Sequence, residues 1–258
     1  MSDPHDPMCA LNRLPPDLIE AILLFLPPKS LGRFKSVSKR WYSLISSHRF
    51  IKIHIQKFSK NNPNSEPTNL ILLSRDFTHS ISLKQPLNFH TPATVTAKHL
   101  KFLDQWVDIL GSCNGLVLGS DIHDNLCFVN PTTRKTLKVS GGETFGTYGF
   151  GYDSSTDDYK VIFIPVKFKF ARVYSFRRHS WNMLPNFPYQ QDDYFCKRGQ
   201  GVLLNNNLYW LVIRSYSKMT IIAFNLANEE FHEIELPDSF RCSQIFAVDG
   251  KLAAVVPK

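Results

Sequence analysis

Between Lys29 and Lys60 the chain has no aspartate or glutamate, while nine basic residues fall there: Lys29, Arg33, Lys35, Lys39, Arg40, Arg49, Lys52, Lys57 and Lys60. A segment of one charge sign cannot neutralise itself through side-chain pairs, so it needs solvent, an anion or an acidic partner. Residues 61–258 carry 20 basic against 18 acidic groups, which leaves most of the formal charge of +8 in the first sixty residues. Long apolar runs are missing too: none reaches the roughly 20 residues that a bilayer crossing requires. Residues 1–13 hold Asp3, His5 and Asp6 and lack both the basic start and the apolar core of a secretory signal. The five cysteines, Cys9, Cys113, Cys127, Cys196 and Cys242, are odd in number and not closely paired, which argues against a disulfide framework. The expectation is a soluble chain of the cytosol or nucleus.

Catalytic patterns are equally thin. Gly146-Thr147-Tyr148-Gly149-Phe150-Gly151 is glycine-rich but lacks the Gly-Lys-Ser/Thr of a phosphate loop and the strand-to-helix setting of a dinucleotide fingerprint. Asp121, His123, Asp124 and Cys127 sit in a polar turn without paired-cysteine spacing, so a turn is the better reading than a metal site. Asp153, Asp157 and Asp158 lack the alternating ligands and closing glutamate of a calcium loop. No cofactor, metal or catalytic residue is expected.

What the chain does have begins at Leu14. Pro15 and Pro16 suit a helix start, Asp17 complements the positive end of the helix dipole, and Pro27-Pro28 stop it. From Leu18 to Leu26 the one polar side chain is Glu20. A helix on a single core needs an apolar stripe about 100° wide, so one apolar nearly all round requires burial on two sides. Leu31, Phe34 and Val37 predict a second helix, and Ser38 caps a third over Lys39–Ser46 with Trp41, Leu44 and Ile45 inward. Three helices in so short a stretch make a marginal domain, which also points to association.

Leu14-Pro15-x-Asp17-Leu18, Ile22-Leu23, Leu26-Pro27, Leu31, Val37-Ser38-Lys39-Arg40-Trp41, Leu44-Ile45 and Phe50 together resemble an F-box. The resemblance implies docking on the Skp-type adaptor of a cullin-RING ubiquitin ligase, through Leu14, Pro15, Ile19, Ile22, Leu23, Leu26, Leu31, Val37 and Trp41. Phe25 departs from the pattern, because the family usually has a basic or polar residue before Leu-Pro. A competing reading takes the same basic stretch as a nucleic-acid-binding module. Against that stands a first helix too apolar to lie on phosphate.

Residues 1–12 read as a disordered terminus, 13–55 as the F-box, and 56–68 as a linker with two prolines and little to bury. Beyond it the period changes to alternation. Short runs such as Leu126–Val129, Tyr159–Ile164, Leu208–Ile213 and Thr220–Asn225 alternate with Asn114-Gly115, Asn130-Pro131 and Asp249-Gly250 turns. A strand-turn-strand unit recurs at Val129, Ser175 and Phe224, steps of 46 and 49 residues, close to the roughly 50-residue kelch period. Four-stranded propeller blades are the natural unit.

Gly111-Ser112-Cys113-Asn114-Gly115, Val129-Asn130-Pro131-Thr132-Thr133-Arg134-Lys135 and Tyr148-Gly149-Phe150-Gly151-Tyr152-Asp153 resemble the plant F-box-associated interaction domain over 69–258. That implies a kelch-like propeller that binds a protein substrate and carries no catalytic residues. The fold class expected is therefore α+β multidomain: a small three-helix F-box, then an all-β propeller of about four units. It either closes as a small ring or is cut short, in which case it would bind adaptor but not substrate. Tyr189, Tyr194, Arg214 and Tyr216, aromatic and basic residues at inter-strand loops, are candidate substrate contacts.

Overall fold

The computed structural model describes residues 14–60, 68–73, 78–83, 97–103, 105–142, 146–165, 170–185, 187–188, 194–195, 200–214 and 218–256. The chain forms two compact units, Met1–Leu72 with His79–Leu100 and Leu73–Thr78 with Lys101–Lys258. The expected disordered terminus at 1–12 lies outside the described residues. No helix among those described is long and apolar enough to cross a membrane.

The first unit opens with four helices: α1 Pro16–Leu23, α2 Pro28–Phe34, α3 Lys39–Ser46 and α4 His48–Lys60. Each of the first three starts where its sequence provides a cap or a pre-set dihedral. Pro15 and Pro27 hold extended ψ values of 142° and 149° with proline again at the first helical turn, and Ser38 Oγ accepts a 3.1 Å hydrogen bond from Trp41 N. The fourth helix enters the residues read as linker and runs to Lys60. Its reason is packing: Phe50 and His54, one turn apart, are both buried and stack with ring centres 6.0 Å apart. A three-stranded antiparallel sheet in the order β1 Thr68–Leu73, β2 Thr78–Leu83, β3 Ala97–His99 follows.

The second unit is a run of antiparallel sheets. Sheet I is β4 Trp106–Cys113, β5 Leu116–Asp121, β6 Leu126–Asn130 and β7 Lys135–Val139, in order. Sheet II is β8 Gly146–Asp153, β9 Asp158–Pro165, β10 Ala171–Ser175 and β11 Ser180–Leu184. Sheet III joins β14 Asn207–Ile213, β15 Met219–Asn225 and β16 Glu230–Glu235, with β12 Tyr194–Phe195 and β13 Val202–Leu204 both on β14. Sheet IV is β17 Gln244–Val248 and β18 Lys251–Val255. The sheets form no closed barrel among the described residues, which agrees with an incomplete propeller. The glycine-rich segment 146–151 is part of β8, a strand and not a nucleotide loop.

Sheet II buries both faces of its inner strands against its neighbours, and this explains the continuously apolar run of β9. In β9, Val161 and Phe163 pack with Leu118, Phe128 and Phe150 toward sheet I, while Ile162 and Ile164 pack with Leu208, Trp210 and Phe224 toward sheet III. All four are 0% exposed. A strand covered on two sides loses its polar face, so its sequence becomes continuously apolar.

The first strands of the sheets approach closely. A Cβ on Gly149 would lie 2.4 Å from Trp210 Cζ2, and one on Gly201 would lie 2.9 Å from Gly149 Cα. Gly201 N donates a 2.7 Å hydrogen bond to Tyr148 O across the same seam. Gly149→Ala is therefore expected to destabilise the second unit by about 1–3 kcal/mol through overpacking, read as a lowered urea midpoint with unchanged slope. An unchanged midpoint would show that Trp210 simply moves aside.

The repeated strand-turn-strand unit has a common local cause. Asn130 Oδ1 accepts from Thr132 N and Thr133 N at 3.0 Å, and Asn225 Oδ1 accepts from Ala227 N and Asn228 N at 2.9 and 3.1 Å. Sheet II uses Ser175 Oγ, which accepts from Arg178 N at 3.0 Å. The turns then pass through left-handed residues at equivalent places, Arg134, His179 and Glu229, with φ of 59°, 52° and 58°.

Candidate docking surface

In the helical unit the apolar side chains divide into two sets. Ile19, Leu23, Leu31, Ile45 and Phe50 form the core, with Leu14, Leu26, Phe34, Trp41 and Leu44 half-buried around them. The second set faces solvent: Leu18 at 51%, Ile22 at 54%, Phe25 at 70% and Val37 at 55% exposure, joined by Tyr42 and Ile51. Six exposed large apolar groups on so small a unit exceed what scattered surface hydrophobics amount to. The division follows from α1 itself: Ile19 and Leu23, four apart, turn inward, while Leu18 and Ile22, also four apart, lie on the adjoining face and Phe25 follows just past the helix end.

The nine residues expected to contact an adaptor are thus placed differently from one another. Ile22, Val37 and Pro15 are exposed, Leu14, Leu26 and Trp41 are half-buried, and Ile19, Leu23 and Leu31 are directed into the unit's own core. Leu18, Phe25, Tyr42 and Ile51 were not among them. The excess of apolar residues in α1 signalled that a second face exists, but only the helix phase shows which residues make it.

Trp41 is fixed by an edge-on contact with Phe34, with centres 5.5 Å apart at 81°. It lines a shallow depression of about 390 Å³ together with Pro16, Ile19, Glu20, Arg40, Ser43 and Leu44. At Phe25 the cation comes from another helix: Lys57 Nζ stands 3.2 Å from the ring centre. His54 Nε2 donates to Leu26 O at 2.8 Å and so satisfies a carbonyl beyond the end of α1. Glu20 and Arg49 approach to 3.7 Å, but Arg49 is 78% exposed and the pair contributes little. In the same helical unit Lys29, Arg33, Lys39, Arg40 and Arg49 are exposed.

Of the four residues expected to touch substrate, the structure describes Arg214 and the backbone of Tyr194. Tyr189 and Tyr216 lie outside the described residues. Tyr194 opens β12 and pairs with Ile213 through the backbone. Arg214 is buried, with Nη2 2.8 Å from Glu233 Oε1 and 3.4 Å from Pro188 O. Arg214 stands just past β14, and Glu233, on β16 one strand beyond the neighbouring β15, offers a carboxylate that satisfies the guanidinium internally.

The acidic residues considered as ligands work as turn braces. Asp121 Oδ1 accepts from His123 N and Asn125 N at 2.9 Å, and its other oxygen lies 3.4 Å from Lys138 Nζ. Burial alone would raise its carboxyl, but the Asn125, His123 and Lys138 donors outweigh that and hold it at about 2. Asp153, braced by Ser155, Thr156 and Lys160 against the same burial, is held well below the usual carboxylate range. Both are depressed in the folded state, so their stabilisation is complete above the unfolded value near 4 and is lost as pH falls through the folded values. Unfolding monitored by tryptophan fluorescence at pH 7 and at pH 3 should show the loss, and Asp121→Asn should flatten part of it. Equal midpoints at both pH values would contradict this account.

With that geometry in place, the sequence can be compared with known families. The profile of the F-box associated beta propeller domain matches residues 61–255, and that of the F-box domain matches 11–53. The chain belongs to the F-box associated beta propeller family. Three relatives, all from Arabidopsis thaliana, illustrate the relationship. F-box/kelch-repeat protein At3g23880 is 34% identical over 247 residues, covering 89% of this chain and 67% of that one. F-box protein CPR1 is 28% identical over 261 residues, covering 88% and 60%. F-box/LRR-repeat/kelch-repeat protein At2g27520 is 29% identical over 239 residues, covering 87% and 60%. This chain therefore spans about three fifths to two thirds of the length of these relatives. The F-box match ends inside α4, so the helix continues past the F-box as far as Lys60.

Proposed function

We propose that this F-box protein is a substrate receptor of an SCF-type (Skp-cullin-F-box) ubiquitin ligase, working in the cytosol or nucleus. The F-box docks on a Skp-type adaptor and the propeller domain holds a protein substrate, while other subunits transfer ubiquitin. The chain contributes proximity and orientation and no chemistry of its own. The observation that carries this reading is the solvent-facing apolar set Leu18, Ile22, Phe25 and Val37, on a unit whose core is already filled by Ile19, Leu23, Leu31, Ile45 and Phe50. An apolar face that the fold leaves uncovered is suited to a protein partner, and the basic surroundings favour an acidic one.

Co-purification with a Skp-type adaptor tests it. A stoichiometric complex should form, and added salt should slow its formation far more than it weakens it, because apolar contacts hold it and charge only steers it. Absence of that complex, together with salt-sensitive retention on nucleic acid, would instead favour a basic nucleic-acid-binding module.

A further inference from the structure

The strands β2 and β3 place two histidines directly opposite each other: His79 pairs with His99 in the antiparallel register. Their side chains are half-buried, and the ring centres are 5.5 Å apart with planes inclined by 30°. Opposite residues of antiparallel strands have Cβ atoms about 4.5–5.5 Å apart, so the two imidazoles rise from the same face of the sheet side by side. That spacing is compatible with a shared metal ion. With imidazole–zinc bonds of about 2.0–2.1 Å and ring nitrogens about 1.1 Å from the ring centre, two rings on a tetrahedral ion have centres about 5.2 Å apart. The observed separation differs from this by a few tenths of an ångström, within the reach of small χ adjustments.

We propose that His79 and His99 form a two-histidine site for a divalent ion of the zinc, nickel or copper class. Imidazole selects such ions over magnesium and calcium, which prefer oxygen. Each ring offers one nitrogen to the ion and keeps the other for an outer partner, the usual arrangement for ligating histidines. Among the described residues no group of three or more His, Cys, Asp or Glu forms a metal cluster, so the proposed site rests on these two ligands. The site is thus open and exchangeable, unlike a closed four-ligand structural centre. Bound metal ties β2 to β3, so that binding stabilises the first unit by mass action. The inference is independent of adaptor docking and survives or fails separately from it.

The test uses the full chain without an affinity tag, stripped with chelator and titrated with zinc, cobalt or magnesium. Zinc should raise the melting temperature in a saturable way and magnesium should not. His79→Gln and His99→Gln should each weaken zinc binding at least tenfold, since each removes half of the protein ligands. Both variants should keep the far-ultraviolet circular dichroism of the parent. Cobalt should show nitrogen-and-oxygen coordination in its visible spectrum. No saturable zinc binding, equal binding by parent and both variants, or a thiolate-to-cobalt charge-transfer band would overturn the proposal, the last by assigning the ion to cysteine.

Discussion

Replacing Ile22 and Val37 together by aspartate is expected to weaken the proposed complex with a Skp-type adaptor about a thousandfold while the F-box stays folded. Both side chains are more than half exposed, so the free chain gains two solvated carboxylates and loses no core contact. In the complex the same carboxylates would enter an apolar contact without partners. At about 2 kcal/mol for each desolvated group the loss is about 4 kcal/mol, or roughly three orders of magnitude in affinity. Titration calorimetry against the adaptor, with helical circular dichroism as the folding control, measures both parts. Leu23→Ala supplies the contrast, because Leu23 is 1% exposed within the core. It should cost about 2–5 kcal/mol of fold stability, and reduce binding only through unfolding. Undiminished affinity in the aspartate double variant would remove this face from the interface.

A second large effect is expected at Lys160, in β9 of sheet II. Its ammonium is buried, 3.0 Å from Asp153 Oδ2, 2.8 Å from Glu229 Oε1 and 2.6 Å from Leu226 O. Leu226 and Glu229 follow β15, so one lysine ties the turn of sheet III to sheet II. Lys160→Met keeps most of the length of the side chain but leaves Asp153, 0% exposed, without its cation. Breaking a buried pair from one side costs about 3–5 kcal/mol, a large part of the 5–15 kcal/mol that holds a typical domain. Hydrogen bonds from Ser155 and Thr156 to Asp153 place the expectation at the lower end of that range. Urea unfolding measures it directly. Lys160→Met combined with Asp153→Asn should recover part of the loss, because no bare carboxylate remains. A loss below about 1 kcal/mol would mean that water enters and replaces the lysine.

The reach of the sequence differed between the units. Proline pairs, Ser38 and an over-apolar first helix located the helices α1 to α3 because caps and hydrophobic excess are local properties. The end of the fourth helix was not legible, since residues 56–60 are polar apart from Phe58 and are carried into the helix behind Phe50 and His54, whose burial depends on α1 and Leu26. Among the strands, β9 and β15 stood out as apolar runs. By contrast β8 carries Gly149 and Gly151, a glycine-rich stretch with no apolar run to mark a strand, because its glycines are demanded by Trp210, Leu203 and Leu226 approaching from sheet III.

What the sequence determined by itself was the order of domains, the repeated strand-turn-strand unit and the two-sided demand of α1, all set by residue type over a few neighbouring positions. Tertiary structure alone decided which apolar side chains of the F-box stay in solvent, that Arg214 is internally paired, and that His79 meets His99. The physical reason is common to all three. Exposure and partnership depend on helix phase, strand register and the packing of segments far apart in the chain, and a change of one residue in register or of 100° in phase would reverse each of them without altering local composition.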